Sequence, residues 1–250
     1  MDKKISIITV VFNSKSALEK TIKSISEQKY KDIEYIVIDG GSTDGTVDII
    51  KKYEKFIFVW ISEPDKGIYD AMNKGLKKAT GDYVWFLNAG DEIYSLDTLS
   101  FINTLESNAD AFYGEVEYVD EQGQNLGTRT LKKPPDSLTW KDMDKGMVVS
   151  HQSLIVKREK AVFYNLDYKY CADIDWMIRT LKNCYIIVNT KKILSKFLIG
   201  GYSKTNIIKS NKERYKILRN HFSLFDVLKS HVYLSVKFLK YYFTNERKLY

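Results

Sequence analysis

The run Ile5-Ser6-Ile7-Ile8-Thr9-Val10-Val11-Phe12 is uncharged, β-branched and without polar alternation. A strand of that kind needs apolar cover on both faces, which is the condition of a parallel sheet flanked by helices. The next eighty residues repeat the unit. Asn13-Ser14 offers a cap, and Leu18, Ile22 and Ile25 follow at helical spacing. A second strand is expected at Ile33–Asp39. Gly40-Gly41-Ser42 breaks it, and Thr43 or Asp44 caps a helix through Val47, Ile50 and Tyr53. A third strand is expected at 56–61, a helix at 70–78 and a fourth strand at 83–87. Alternation of this sort demands parallel pairing with right-handed crossovers, so the first half predicts a doubly wound α/β unit.

After residue 93 the periodicity is mixed. Strands are expected at 111–119, 153–156 and 185–188, with a hairpin turn at 120–123, a loop at Pro134-Pro135 and a helix at 171–182. No linker or repeat divides the 250 residues, whose 44% hydrophobic content supports one large domain with a tail. Cys171 and Cys184 lack metal-ligand spacing and make no disulfide scaffold, which points to a reducing cytosol. No secretion signal and no bilayer-spanning run is expected.

Charge is placed unevenly. Residues 201–250 hold 11 Lys and Arg against 3 Asp and Glu, so the basic tail accounts for the net +7. From 212 to 243 this tail reads as one helix, with Leu218, Phe222, Phe225, Leu228, Val232, Val236, Leu239 and Phe243 at spacings of three and four. Lys229, Lys237, Lys240, Tyr233, Tyr241 and Tyr242 decorate it. The pattern suits either peripheral insertion beside anionic lipid or packing on its own domain or on a second copy.

Two acidic, Gly-rich segments follow buried strands: Asp39-Gly40-Gly41-Ser42-Thr43-Asp44-Gly45-Thr46 and Asn88-Ala89-Gly90-Asp91-Glu92. Open α/β sheets bind ligands at the carboxyl ends of their strands, so these segments suggest a nucleotide and metal site. Neither a P-loop nor a Gly-x-Gly-x-x-Gly fingerprint is present; carboxylates and a metal would have to grip the nucleotide instead.

In order along the chain, Ser6–Asn13, the Asp39–Thr46 loop, Glu63-Pro64-Asp65-Lys66-Gly67-Ile68-Tyr69-Asp70-Ala71-Met72-Asn73-Lys74-Gly75, Asn88–Asp91, His151-Gln152 and Ala172-Asp173-Ile174-Asp175-Trp176 resemble family 2 glycosyltransferases of the GT-A fold. The sub-type resembled is that of bacterial enzymes building O-antigen, capsule or exopolysaccharide repeats. The resemblance implies a Rossmann-like, mostly parallel central sheet flanked by helices, with the helical tail appended. It implies a nucleotide-sugar half at 1–95, an acceptor half at 96–200 and a basic tail at 201–250.

It also implies roles. Asp39 is placed to accept the uracil imide N–H of a UDP-sugar donor, or else is a turn carboxylate. Thr9 and Asn13 line the base or ribose, or else are a strand end and a helix cap. Asp65 and Lys66 lie where a base or diphosphate passes, with Asn73 and Asn88 further donor-side residues. Asp91 is the ligand for Mn2+ or Mg2+, with Glu92 weaker, because Asn88 and Gly90 stand where the usual Asp-x-Asp-Asp pattern has acids. Asp173 is the general base for an inverting transfer, with Asp175 in reserve, since two residues apart on one helix they diverge by about 200°. His151 binds phosphate or completes the metal shell. Trp140 and Trp176 stack on sugar or pack in the core, and His221 and His231 have no chemical role. The expected acceptor is a polyprenyl-diphosphate-linked glycan at the cytoplasmic membrane face, with no nucleic acid bound.

Two rivals compete with this reading. A nucleotidyltransferase making NDP-sugars would need glycine and a basic residue straight after the first strand, where Val11-Phe12-Asn13-Ser14-Lys15 has no glycine. A non-catalytic nucleic-acid or membrane-binding module would bind oligonucleotides in a salt-sensitive way and release no UDP.

Overall fold

The computed structural model describes residues 2–130, 132–199 and 206–244, and for 238 and 240–244 the backbone alone. Expectations placed on 201–205 and 245–250, and on the side chains of Lys240, Tyr241, Tyr242 and Phe243, lie outside the described residues.

The first half folds as the alternation predicts. Strands β1 (Ile5–Val11), β2 (Ile33–Asp39), β3 (Val59–Ser62) and β4 (Tyr83–Phe86) pair in parallel in the order β3-β2-β1-β4. Helices α1 (Lys15–Ser26) and α2 (Thr46–Lys52) cover one face through Leu18, Ile22, Ile25, Ile49 and Ile50. Helix α3 (Ile68–Lys78) covers the other through Ala71, Met72 and Leu76. At Gly75 this helix lies so close to β1 that a methyl group there would come within 2.4 Å of Ile8.

Strand β3 starts three residues later than expected. Phe56 and Ile57 donate their amides back to Tyr53 and continue the turn out of α2. A short apolar run is equally at home in a buried turn, and periodicity does not separate the two.

The second half extends the same sheet. It supplies β5 (Glu92–Ile93), α4 (Thr98–Thr104), β6 (Ala111–Val119), β7 (Asn125–Thr128), β8 (Leu154–Lys157), α5 (Ala172–Lys182) and β9 (Ile187–Leu198). Strand β8 pairs antiparallel to β4, and β6 joins β8 to β9, giving the order β3-β2-β1-β4-β8-β6-β9-β5. The sheet is therefore mixed, parallel in its first half and mixed in its second. Strand β9 is longer than the expected 185–188. Lys191 and Lys192 interrupt the apolar run, but the chain crosses them through a bulge, with Lys191 at φ +55° opposite Gly114.

The tail forms two helices rather than one, α6 (Ile207–His221) and α7 (Leu224–Thr244). Ser223 separates them and caps α7, its hydroxyl bonded to Asp226 Oδ2 at 2.6 Å while accepting the Asp226 amide at 3.1 Å. Ile217, Leu218 and Val227 are buried against the domain, whereas Phe225, Leu228, Val232, Val236 and Leu239 remain exposed. Among the described residues no helix is long and apolar enough to cross a membrane.

Candidate active site

The strand order reverses direction at β1, with β2 on one side and β4 on the other. The crevice beyond the carboxyl ends of these strands is where an open α/β sheet takes its ligand. Loops from both halves of the chain meet there.

On one side the tips of β1, β2 and β3 are stitched together. The Asp39 carboxylate is fully buried and receives the amides of Gly41 (3.2 Å) and Ser42 (3.0 Å) and the hydroxyls of Ser42 and Ser62. Asn13, at φ +45°, donates its amide to Ser42 and receives the Thr43 amide on its side-chain oxygen at 2.9 Å. Asp65 accepts from the Gly67 amide at 2.8 Å, and its other oxygen rests on Gly40, where a methyl group would meet it at 2.6 Å. Lys66 is exposed, its amide donated to Asp70. Beside Gly40 stands Phe12, 61% exposed, whose ring the sequence reading had absorbed into the buried strand. An aromatic that leaves the core at a strand tip offers a flat face to a ligand.

On the other side, the loop after β4 carries Asp91. Thr21 of α1 holds this loop, donating to the Asp91 carbonyl at 2.8 Å and accepting the Gly90 amide at 2.9 Å. Asp91 is 3% exposed. Its oxygens receive the amides of Asn88 and Leu198, each at 3.2 Å. Burial pushes its carboxyl up to about 7, against the opposing pull of nearby His151 and Gln152. The side-chain oxygen of Asn88 is buried with no partner. Glu92 enters β5, paired opposite Lys196, so strand alternation turns it away from its neighbour.

Pairing of Trp85 with Ile155 brings the turn His151–Ser153 to the tip of β4, where Trp85 Nε1 bonds the Gln152 carbonyl at 2.9 Å. His151 is buried and neither ring nitrogen has a hydrogen-bond partner. Its Nδ1 lies 3.7 Å from Asp173 Oδ2. Asp173 sits in the first turn of α5, inside a helix whose cap is Cys171, and its side chain is 20% exposed. The helix N-terminus favours a carboxylate there. Three groups from distant segments, Asp91, His151 and Asp173, thus converge. Among the described residues no three His, Cys, Asp or Glu form a ready metal cluster.

Several expected site residues lie elsewhere. Thr9 is fully buried and shares its strand face with Ile5, Ile7 and Val11, so it belongs to the core. Asn73 spends its amide on the Tyr164 backbone, donating at 2.9 Å and accepting at 2.7 Å. Asp175 points away from Asp173, to Arg179 Nε (2.7 Å) and His221 Nε2 (2.8 Å). His221 thus serves structurally, tying α6 to α5. Trp176 stacks on Tyr164 in the core, and Trp140 stacks on Phe222.

Comparison with known proteins accords with this geometry. A PGL/p-HBAD biosynthesis glycosyltransferase of Mycobacterium bovis (strain BCG / Pasteur 1173P2) is 32% identical over 223 residues, covering 84% of this chain and 82% of its own length. The S. aureus TarS 1–349 crystal structure in complex with UDP superposes at TM-score 0.66, with 17% identity, over 98% of this chain and 76% of that one. The mannosyltransferase PcManGT of Pyrobaculum calidifontis, in complex with GDP-Man and Mn2+, superposes at 0.67 with 16% identity, over 99% and 77%. The fold is GT-A. The model for glycosyl transferase family 2 matches residues 6–163, and the chain belongs to that family.

Proposed function

We propose that the chain moves a sugar from a UDP-linked donor to a glycan hydroxyl with inversion at the anomeric carbon, and that the acceptor is a polyprenyl-diphosphate-linked saccharide of surface polysaccharide biosynthesis. The observation that carries the reading is the meeting of Asp91, His151 and Asp173 at the strand-order reversal, with His151 bare at both nitrogens. TarS in complex with UDP supports the uridine nucleotide, and PcManGT with GDP-Man and Mn2+ supports a nucleotide-sugar donor beside a divalent cation.

The uridine lies in the mouth formed by Phe12, Gly40 and Asp65, its base against the Phe12 ring. Asp39 forms the floor; rotation of the Ser42 hydroxyl releases a lone pair for the ring N–H, and Asn13 keeps the two loops together. Asp65 and Lys66 flank the path of the ribose and diphosphate.

The residues beyond β4 fit a divalent cation. Asp91 is a hard oxygen donor whose buried charge lacks a full partner, and the orphaned Asn88 oxygen adjoins it. A cation held by Asp91 would leave places in its shell for diphosphate oxygens and water. When bound, Mn2+ or Mg2+ supplies positive charge against the departing diphosphate. His151 completes that shell or bonds a phosphate oxygen. Asp173 takes the proton of the acceptor hydroxyl as it attacks from the face opposite UDP.

Exposed Phe225, Leu228, Val232, Val236 and Leu239 on α7, with lysines about them, support peripheral contact with the anionic inner face of the plasma membrane. A donor screen scored by UDP release, with a lipid-diphosphate acceptor and Mn2+, tests the function. Turnover is expected with at least one UDP-sugar and is expected to vanish in Asp91→Asn. UDP release that is absent for every donor, or unchanged in Asp91→Asn, overturns the reading.

A further inference from the structure

Behind Asp173 and His151 lies a group of cations. Lys132 stands among Arg129 and Arg214, and its Nζ comes within 3.1 Å of where a Gly146 methyl would sit. Burial, and then the two arginines, push the Lys132 amine down to about 8. Arg129 donates to the Met147 carbonyl at 2.6 Å, four residues ahead of His151. Arg214 adjoins Cys171, two residues ahead of Asp173, and its Nε is buried with no hydrogen-bond partner. Arg129 thus touches the segment that carries His151, and Arg214 the segment that carries Asp173. Among the described residues none of the three makes an ion pair with a carboxylate within 4.0 Å; Glu115 feels the charge of Arg129, and Glu213 accepts the amide of Cys171, beside Arg214.

Of the three, Lys132 itself lines a cavity of about 180 Å³ between residues 132–148 and α7, where Lys133, Lys145 and Lys237 add further positive charge, and Arg129 and Arg214 act on it from behind Lys132. That space holds far more than one water. Asp142 also lines it, but its carboxylate is engaged in capping Thr139. Like charges brought together under partial burial destabilise a fold unless an anion joins them. Guanidinium and ammonium groups around a polar hollow match phosphate oxygens in both charge and donor geometry.

The geometry points to a phosphate subsite on the acceptor side, in which Arg129, Lys132 and Arg214 bind the phosphate or diphosphate group borne by the acceptor and so present its hydroxyl to Asp173. This deepens the glycosyltransferase reading and rests on it. The donor diphosphate is assigned to the Asp91 side, through a divalent cation, so one phosphate group is met by a metal charge and the other by side-chain cations. These cations are positioning residues, not catalytic ones.

The full chain is assayed with two acceptors bearing the same sugar, one a neutral octyl glycoside and the other its farnesyl-diphosphate-linked counterpart. Loss of one charge-assisted contact should raise KM for the diphosphate acceptor by about tenfold or more in Lys132→Gln and in Arg214→Gln. The neutral acceptor's KM, the donor KM and kcat should stay unchanged. Calorimetry with inorganic pyrophosphate, on protein saturated with UDP and Mn2+, should show binding that both variants weaken. Melting of Lys132→Gln should be no lower than wild type, since removing a crowded charge relieves repulsion. A rise in donor KM instead, equal effects on both acceptors, or pyrophosphate binding indifferent to both variants overturns the subsite. Failure of both acceptors to yield UDP sinks the transfer reading, and the pyrophosphate measurement still decides the subsite.

Discussion

Asp173, expected as the base, and Asp175, held in reserve, lie two residues apart on one helix, and their surroundings make opposite predictions for the same substitution. Asp175 is 5% exposed at its side chain and bonds both Arg179 and His221. Burial alone would raise its carboxyl; the bonds from His221 and Arg179 outweigh that and hold it below the usual carboxylate range. Removing one partner of a buried ion pair costs about 3–5 kcal/mol. Arg179 is 31% exposed, so water recovers part of that loss, and about 2–4 kcal/mol is expected for Asp175→Asn. At this chain length that lowers the melting temperature by roughly 5–15 °C. Because the folded pKa is depressed, the stabilisation is full above the pKa of an unfolded Asp, about 4. It fades as pH falls through the folded value, so the melting difference from wild type should shrink below about pH 4. Asp173→Asn should melt as wild type but lose about 10²–10⁴ in kcat, the range of general-base catalysis. Paired measurements of melting and UDP release, the latter well below the variant's transition, check both. An Asp175→Asn protein with wild-type melting and abolished turnover would reverse the two assignments and refute the reasoning.

Glu34, buried at the opposite end of the sheet, receives Ser6, Thr80 and Lys4; burial opposes its charge, yet these donors hold its carboxyl at about 2. Glu34→Gln should cost about 3 kcal/mol at neutral pH, a loss that is full above about pH 4.5 and vanishes toward pH 2 in acid-titrated denaturant melts. At Gly90, φ is +102° and a methyl group would come within 2.6 Å of Leu198, so Gly90→Ala should destabilise by about 1–3 kcal/mol and raise the Mn2+ concentration needed for half-maximal UDP release. Leu228→Glu combined with Val232→Glu, both on the exposed stripe of α7, should abolish sedimentation with anionic liposomes and leave turnover on a neutral soluble acceptor unchanged.

The frame was legible because each of its elements declares itself locally. Strands β1, β2 and β4 are apolar runs closed by Gly or Asn, and α1 and α3 carry clear helical spacing. Asp91 was singled out by a Gly-rich acidic segment after a buried strand and by the order of motifs, Asp173 by the order of motifs alone; the structure brings both to the end of β4. Thr9 was misplaced for a physical reason: a strand buried on both faces has no polar alternation, so nothing in the sequence says which face a threonine joins. The contact of Asp175 with His221 spans 46 positions, beyond the reach of any periodicity. The break in the tail did carry a signal, Ser223 followed three residues on by Asp226 before an apolar run, the pattern of a helix start. The continuous apolar spacing from Leu218 to Leu239 masked it.

Net charge was read correctly as a property of the tail, but a sum over residues says nothing about which way a cation points. Exposed Lys212 and Lys216 behave as surface charge, while Arg214, between them in sequence, turns inward toward Cys171 and Lys132. One helix thus offers positive charge outward and inward at once. At the tip of β4, away from these cations, burial pushes the Asp91 carboxyl up to about 7. A chain alone in water leaves both regions incompletely neutralised, since anion and cation are held apart by the body of the site. Underpaired carboxylate on one side and underpaired cations on the other suit the two guests proposed above, a divalent cation beside Asp91 and a phosphate group beside Lys132 and Arg214.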